Sequence, residues 1–104
     1  MSEERFPHLK LAGGRLTALK ELPFHGREME MACRRLFDSD APELVIDLSA
    51  LEYVASPQIG ALVAACARAG ECGRRLRVLI SPNLVRFLER MKLDGLIDYE
   101  VVGG

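Results

Sequence analysis

Between Arg27 and Phe37 apolar side chains recur at helical spacing, with Met29, Ala32, Cys33 and Leu36 on one stripe and Phe37 at its edge. Glu28 lies early and Arg34-Arg35 late, which suits the dipole of a helix in that direction. The period then changes. Glu43 to Leu48 (ELVIDL) is a short, β-branched, largely apolar run, the pattern expected of a strand covered on both faces. Arg74 to Ile80 (RRLRVLI) predicts a second strand with Leu76, Val78 and Ile80 on one face. Leu84, Leu88 and Met91, joined by Val85 and Phe87, mark a helix to about Lys92 that Asp94-Gly95 ends. Ile97 to Val102 supplies a last strand. Ahead of all these, Phe6 to Leu22 holds two weak β-like stretches around Gly13-Gly14. In the second of them, Leu16, Ala18 and Lys20 oppose Thr17, Leu19 and Glu21, so neither face is cleanly apolar.

Capping chemistry marks the boundaries. Pro23 stops the second N-terminal stretch and His25-Gly26 opens the helix after it, while Asp38-Ser39-Asp40-Ala41-Pro42 has the composition of a loop. Ser56-Pro57 announces a helix, serine as N-cap and proline at the first helical position, running to about Gly70 with Gly70 and Gly73 at its exit. Ser81-Pro82 repeats the device. The order β-β-α-β-α-β-α-β predicts an α/β fold: a mixed, mostly parallel central sheet of about five strands with three to four helices, residues 1–104 forming one domain.

Composition narrows the functional classes. At 104 residues and 11.5 kDa, with 49% hydrophobic and 28% charged residues, the chain has the makings of one packed core. Fourteen Lys and Arg against fifteen Asp and Glu leave a net charge of −1, without the basic excess of a nucleic-acid binder. Three cysteines without CxxC spacing fit a reduced interior, and no apolar run reaches the roughly 18 residues of a membrane span. The N-terminus carries no apolar signal segment, so a cytoplasmic location without membrane insertion is expected. His8 and His25 share no ligand spacing with each other or with cysteine, so no metal is assigned. The glycine pairs form neither GxGxxG nor a P-loop, and no cofactor is expected. No nucleophile–base–orienter set is visible, which argues against an enzyme.

The remaining candidates suit contact rather than catalysis. If Ile59, Leu62, Val63, Cys66 and Ala67 face the sheet, then Gln58, Ala61, Ala65 and Arg68 face outward, a surface that lets another protein approach closely. Asp47, in an otherwise apolar strand, is expected to accept backbone hydrogen bonds near the Ser56 loop or to join a recognition surface beside it. Arg74, Arg75 and Arg77 read as a solvated edge, Cys33 and Cys66 as core, and Cys72 and Met31 as exposed.

Residues Glu43 to Val102 resemble the STAS domain, the fold shared by bacterial anti-sigma factor antagonists and the cytoplasmic tails of sulphate transporters. "ELVIDLSALEYV" is similar to that family's central strand with its Asp-Leu-Ser ending. "ASPQIGALVAACARAGECGRRLRVLI" is similar to its signature helix and next strand, and "NLVRFLERMKLDGLIDYE" to its closing helix with the Leu-Asp-Gly-Leu turn. Phosphorylation-switched antagonists carry Asp-Ser-Ser-Gly at the helix start, the second Ser being the acceptor; here Ala55-Ser56-Pro57-Gln58 stands in its place. Pro57 has no hydroxyl, so the usual switch is absent, and Ser56 either caps the helix through the N–H of Gln58 or Ile59 or serves as a substitute acceptor. The resemblance implies a non-catalytic interaction module in transcription regulation. Its partner would be an anti-sigma factor with a Ser/Thr kinase fold, or the other components of a sensing complex that it scaffolds. The contact would use Ser56, Pro57, Gln58, Ala61, Ala65 and Arg68, with Asp47 and the His25 loop, and it leaves room for a homodimer. The alternative is an accessory subunit of a lipid-trafficking ABC importer.

Overall fold

The strands Leu9–Ala12, Arg15–Ala18 and Glu43–Leu48 bury alternate side chains, and the same face stays buried in Arg75–Ile80, where Leu79 is buried on the other face as well. The computed structural model describes residues 4–19, 22 and 26–103. The elements are β1 (Glu4–Arg5), β2 (Leu9–Ala12), β3 (Arg15–Ala18), α1 (Arg27–Leu36), β4 (Glu43–Leu48), α2 (Ser56–Cys72), β5 (Arg75–Ile80), α3 (Pro82–Arg90) and β6 (Glu100–Val101). The six strands lie side by side in chain order. β1–β2 and β2–β3 are antiparallel, whereas β3–β4, β4–β5 and β5–β6 are parallel, each parallel pair joined through a helix. The fold is thus α/β with a mixed sheet, as the element order predicted.

The register explains the layering. Leu16, Ile46 and Val78 share one row and Leu48 and Ile80 the next, all pointing to the same face. They form one core with Leu36 of α1, Leu62 of α2, and Leu84 and Leu88 of α3. Three crossovers step the same way across the sheet, and crossovers of one hand then put all their helices on one side. β4 is therefore not covered on both faces, as its apolar run suggested: Leu44, Ile46 and Leu48 are buried, but Glu43, Val45 and Asp47 are only half-buried. The far face carries charged side chains beside Val45 and the buried Leu79. Arg15 donates to Asp47 at 2.5 Å, and Arg77 forks onto Glu100 at 2.7 and 2.8 Å while reaching Glu43 at 3.3 Å. Their aliphatic stems shield the backbone and their heads stay wet.

Other boundaries shift for identifiable reasons. Gly13 and Gly14 both adopt positive φ (59° and 80°), the handedness a two-residue hairpin needs to match strand twist. Gly14 also lies so close to Ala41 that an added Cβ would sit 2.6 Å from its methyl. The sixth strand, β1, is two charged residues paired with Leu11 and Lys10, too short to carry a period. β3 ends at Ala18 rather than Leu22, although Leu22 is itself buried; Pro23 lies outside the described residues. α3 stops at Arg90, with Lys92 at φ 60°, and the last strand shrinks to Glu100–Val101 because Ile97 turns into the core. α2 continues past Gly70 to Cys72, where Gly73 closes it in the left-handed conformation.

Arg74 is not a solvated edge. Its guanidinium donates to the carbonyls of Ser39 and Ala41 at 2.9 Å and of Phe37 at 3.4 Å, tying down the loop between α1 and β4. Replacing it with alanine strands those acceptors and is expected to cost about 1–3 kcal/mol. Lysine is expected to recover only part of that, since an ammonium cannot fork across three carbonyls. Urea denaturation of both variants checks the order.

Candidate functional site

The start of α2 is built differently from the serine cap its sequence suggests. Ala55 is the extended N-cap residue, and its carbonyl accepts from the N–H groups of Gln58 (2.9 Å) and Ile59 (3.1 Å). The Gln58 side chain reaches back, its Oε1 accepting from the Ala55 N–H at 2.8 Å. Ser56 lies in the first turn with its side chain exposed and caps nothing. This corrects two expectations. The N–H groups of Gln58 and Ile59, expected to meet the Ser56 hydroxyl, go to the Ala55 carbonyl instead, and Gln58 faces inward, only 2% exposed.

The outward face of α2 is also rotated from the expected one. Gln58, Ile59, Leu62, Ala65 and Ala69 are buried, while Pro57, Gly60, Ala64, Ala67 and Arg68 are exposed. Ala65 is therefore core rather than surface, Ala67 surface rather than core, and Ala61, Val63 and Cys66 half-buried at the edges. The cause is α1, which packs along α2 and covers the edge that carries Ala65. Gly26, at the start of α1, touches Pro57, and a Cβ built on Gly26 would lie 2.7 Å from the Pro57 carbonyl oxygen. At the opposite ends the Arg68 guanidinium stands 4.6 Å over the Phe37 ring, so the two helices run parallel.

Between them lies a groove of about 550 Å³, lined by Pro57, Gly60, Ala61, Ala64, Ala65 and Arg68 on one side and Glu30, Cys33, Arg34 and Phe37 on the other. The structure thus brings together Pro57, Ala61, Ala65 and Arg68 of the expected residues. Of the His25-Gly26 loop expected to join the contact, Gly26 does lie against Pro57; Arg34 and Phe37 were not anticipated, being distant in sequence from the helix they flank. Asp47 is separate: strand alternation directs it to the far sheet face, where it accepts from the N–H and hydroxyl of Ser49 (3.0 and 2.6 Å) and from Arg15. Burial alone would raise its carboxyl, but the Ser49 and Arg15 hydrogen bonds and the Arg15 charge outweigh that and hold it below the usual carboxylate range. His25 lies outside the described residues.

The surrounding segments hold the α2 entrance in place. Ser81 caps α3 as expected, accepting from the Leu84 N–H at 3.1 Å, and its hydroxyl donates to the Leu51 carbonyl at 3.0 Å. Asn83 donates to Glu52 at 3.3 Å, and the Tyr53 and Phe87 rings meet at 6.2 Å. At the start of α1, the buried Glu28 accepts from the His8 N–H at 2.6 Å, with His8 Nδ1 2.7 Å from its other oxygen. Burial, helped by the nearby Cys66, pushes the Cys33 thiol up to about 12. Burial, and then the Asp98 charge, raises Cys66 too. Neither is a poised nucleophile. Among the described residues no three His, Cys, Asp or Glu side chains gather to hold a metal, and no helix is long and apolar enough to cross a membrane.

No family model matches the chain, and no curated protein does. A solved structure, the NMR structure of the protein TM1081, is similar to it, with a TM-score of 0.62 over 98% of this chain and 85% of that one, at 15% sequence identity. That likeness establishes the α/β fold.

Proposed function

We propose that this chain is a non-catalytic interaction module of the STAS kind in the cytoplasm, acting as an anti-sigma factor antagonist toward a kinase-type anti-sigma factor. The observation that carries the reading is the exposed start of α2, where Pro57 occupies the position that matches the phosphoacceptor of switched antagonists. A phosphate on a first helical turn would gain from unpaired backbone N–H groups and the dipole. Pro57 can neither accept one nor donate an N–H to it. Partner binding therefore persists without chemical switching at that position, by contact through the Ser56 loop and the exposed edge of α2.

Ser56 is the residue to watch, because its exposed hydroxyl is free of the capping duty. The test is to copurify the chain from its native host, identify what accompanies it by mass, and incubate the complex with ATP. The expected result is a kinase-fold anti-sigma factor bound to a chain of unchanged mass. A stoichiometric phosphate on Ser56 overturns the unswitched reading. A permease and ATPase in the complex establish the transport alternative in its place.

A further inference from the structure

We propose that the groove between α1 and α2 seats a helix of the partner protein, one with a closely packing apolar face and a carboxylate at the end that lies over Arg68. The inference rests on the interaction-module reading and specifies the chemistry its partner must present. Shape is the first support. The α2 side of the groove runs from Pro57 to Arg68, and eleven residue steps of 1.5 Å give a trough of about 16 Å, three helical turns. Its wall is made of Pro57, Gly60, Ala61 and Ala64, and a Cβ built on Gly60 meets nothing within 4 Å. Side chains this small let a third helix approach to about 8 Å between axes, the close end of ordinary helix packing. A drug-sized molecule is usually enclosed over most of its surface. Here Gly60, Ala64 and Arg68 stay exposed along the whole length, which suits an elongated occupant covered on its own far side.

Charge is the second and independent support. Arg34 on the α1 rim is already paired with Glu30 at 2.8 Å. Arg68 has no carboxylate partner among the described residues; its guanidinium carbon stands 4.6 Å from the centroid of the Phe37 ring. A guanidinium drawn to an aromatic face by cation–π attraction keeps N–H donors that a carboxylate can accept from. The groove therefore ends in one unneutralised positive charge and asks for a negative one.

The test uses the full chain and two synthetic amphipathic helical peptides of about 15 residues, long enough to span the trough. They share an Ala/Leu face and differ only in carrying Glu or Lys at the terminal position. The Glu peptide is expected to bind, with NMR shifts confined to residues 30–37 and 57–68, and about tenfold more tightly than the Lys peptide. Arg68→Glu is expected to reverse that preference. Ala64→Trp, which fills an exposed position, is expected to abolish binding while the thermal midpoint stays near the parent's. Equal binding of the two peptides, binding of neither, or undiminished binding to Ala64→Trp overturns the proposal. The copurified native partner separates this inference from the functional reading. A partner indifferent to both substitutions preserves the module reading and overturns the groove. Failure to capture any partner while the Glu peptide still binds overturns the module reading and upholds the groove.

Discussion

Replacing Gly26 with alanine is expected to lower the unfolding free energy by about 1–3 kcal/mol, the cost of forcing a methyl into a packed contact. The added Cβ would sit 2.7 Å from the Pro57 carbonyl oxygen and 2.9 Å from its carbonyl carbon and Cβ. These are backbone and ring atoms, which cannot swing aside as the tip of a long side chain would, so the two helix entrances must separate. At about 4–8 °C per kcal/mol for a domain of this size, the shift is well resolved in a thermal melt. Gly60→Ala is the control with the opposite sign. The same chemical change, in a helix interior with open space beyond it, is expected to stabilise by about 0.5–1 kcal/mol. If both variants melt at the same temperature, the close approach of α1 and α2 at Pro57 is wrong.

Alkali is expected to weaken the fold through Cys33. Its thiol goes from an ordinary value of 9.0 to about 12 in the folded chain, because burial disfavours the thiolate and Cys66 adds to the effect. Between those two pH values the unfolded chain has lost the proton that the folded chain retains, so unfolding releases it and stability falls as pH rises. Below pH 9 the full stabilisation is present. Across the three-unit window the loss approaches about 4 kcal/mol, at about 1.4 kcal/mol per unit. Urea denaturation under reducing conditions, at about pH 8 and about pH 11, gives the slope. The slope of Cys33→Ala is expected to be clearly flatter than the parent's, since only that thiol is removed; equal slopes would remove Cys33 from the account.

What could be read in the sequence depended on contrast between neighbouring positions. The stripe Met29, Ala32, Cys33 and Leu36 alternates with charged residues, and all four are buried as expected. α2 offers little such contrast. Alanines at 61, 64, 65, 67 and 69 bury nearly the same small area whichever way they point, so the orientation is set by the neighbouring α1, a tertiary fact with no local trace. Two Ser-Pro pairs show the same limit. Ser81 caps its helix, but at Ser56 a glutamine two residues on reaches back and the helix begins one residue earlier. The apolar run of β4 announced a strand correctly. Its layering came from the direction of three successive crossovers, which no six-residue window holds. Phe37 and Arg68 were each visible as residues, but only the parallel packing of their helices makes them a pair.

The outermost strands, β1 and β6, are two residues long apiece. β6 pairs only with Leu79 and Ile80 of β5, so the outer edge of β5 from Arg75 to Val78 is left without a strand among the described residues, and the charged Arg75 and Arg77 stand along it. Lateral addition of a strand from another copy is therefore opposed on that side by charge, which has to be stripped of water before a ladder can form.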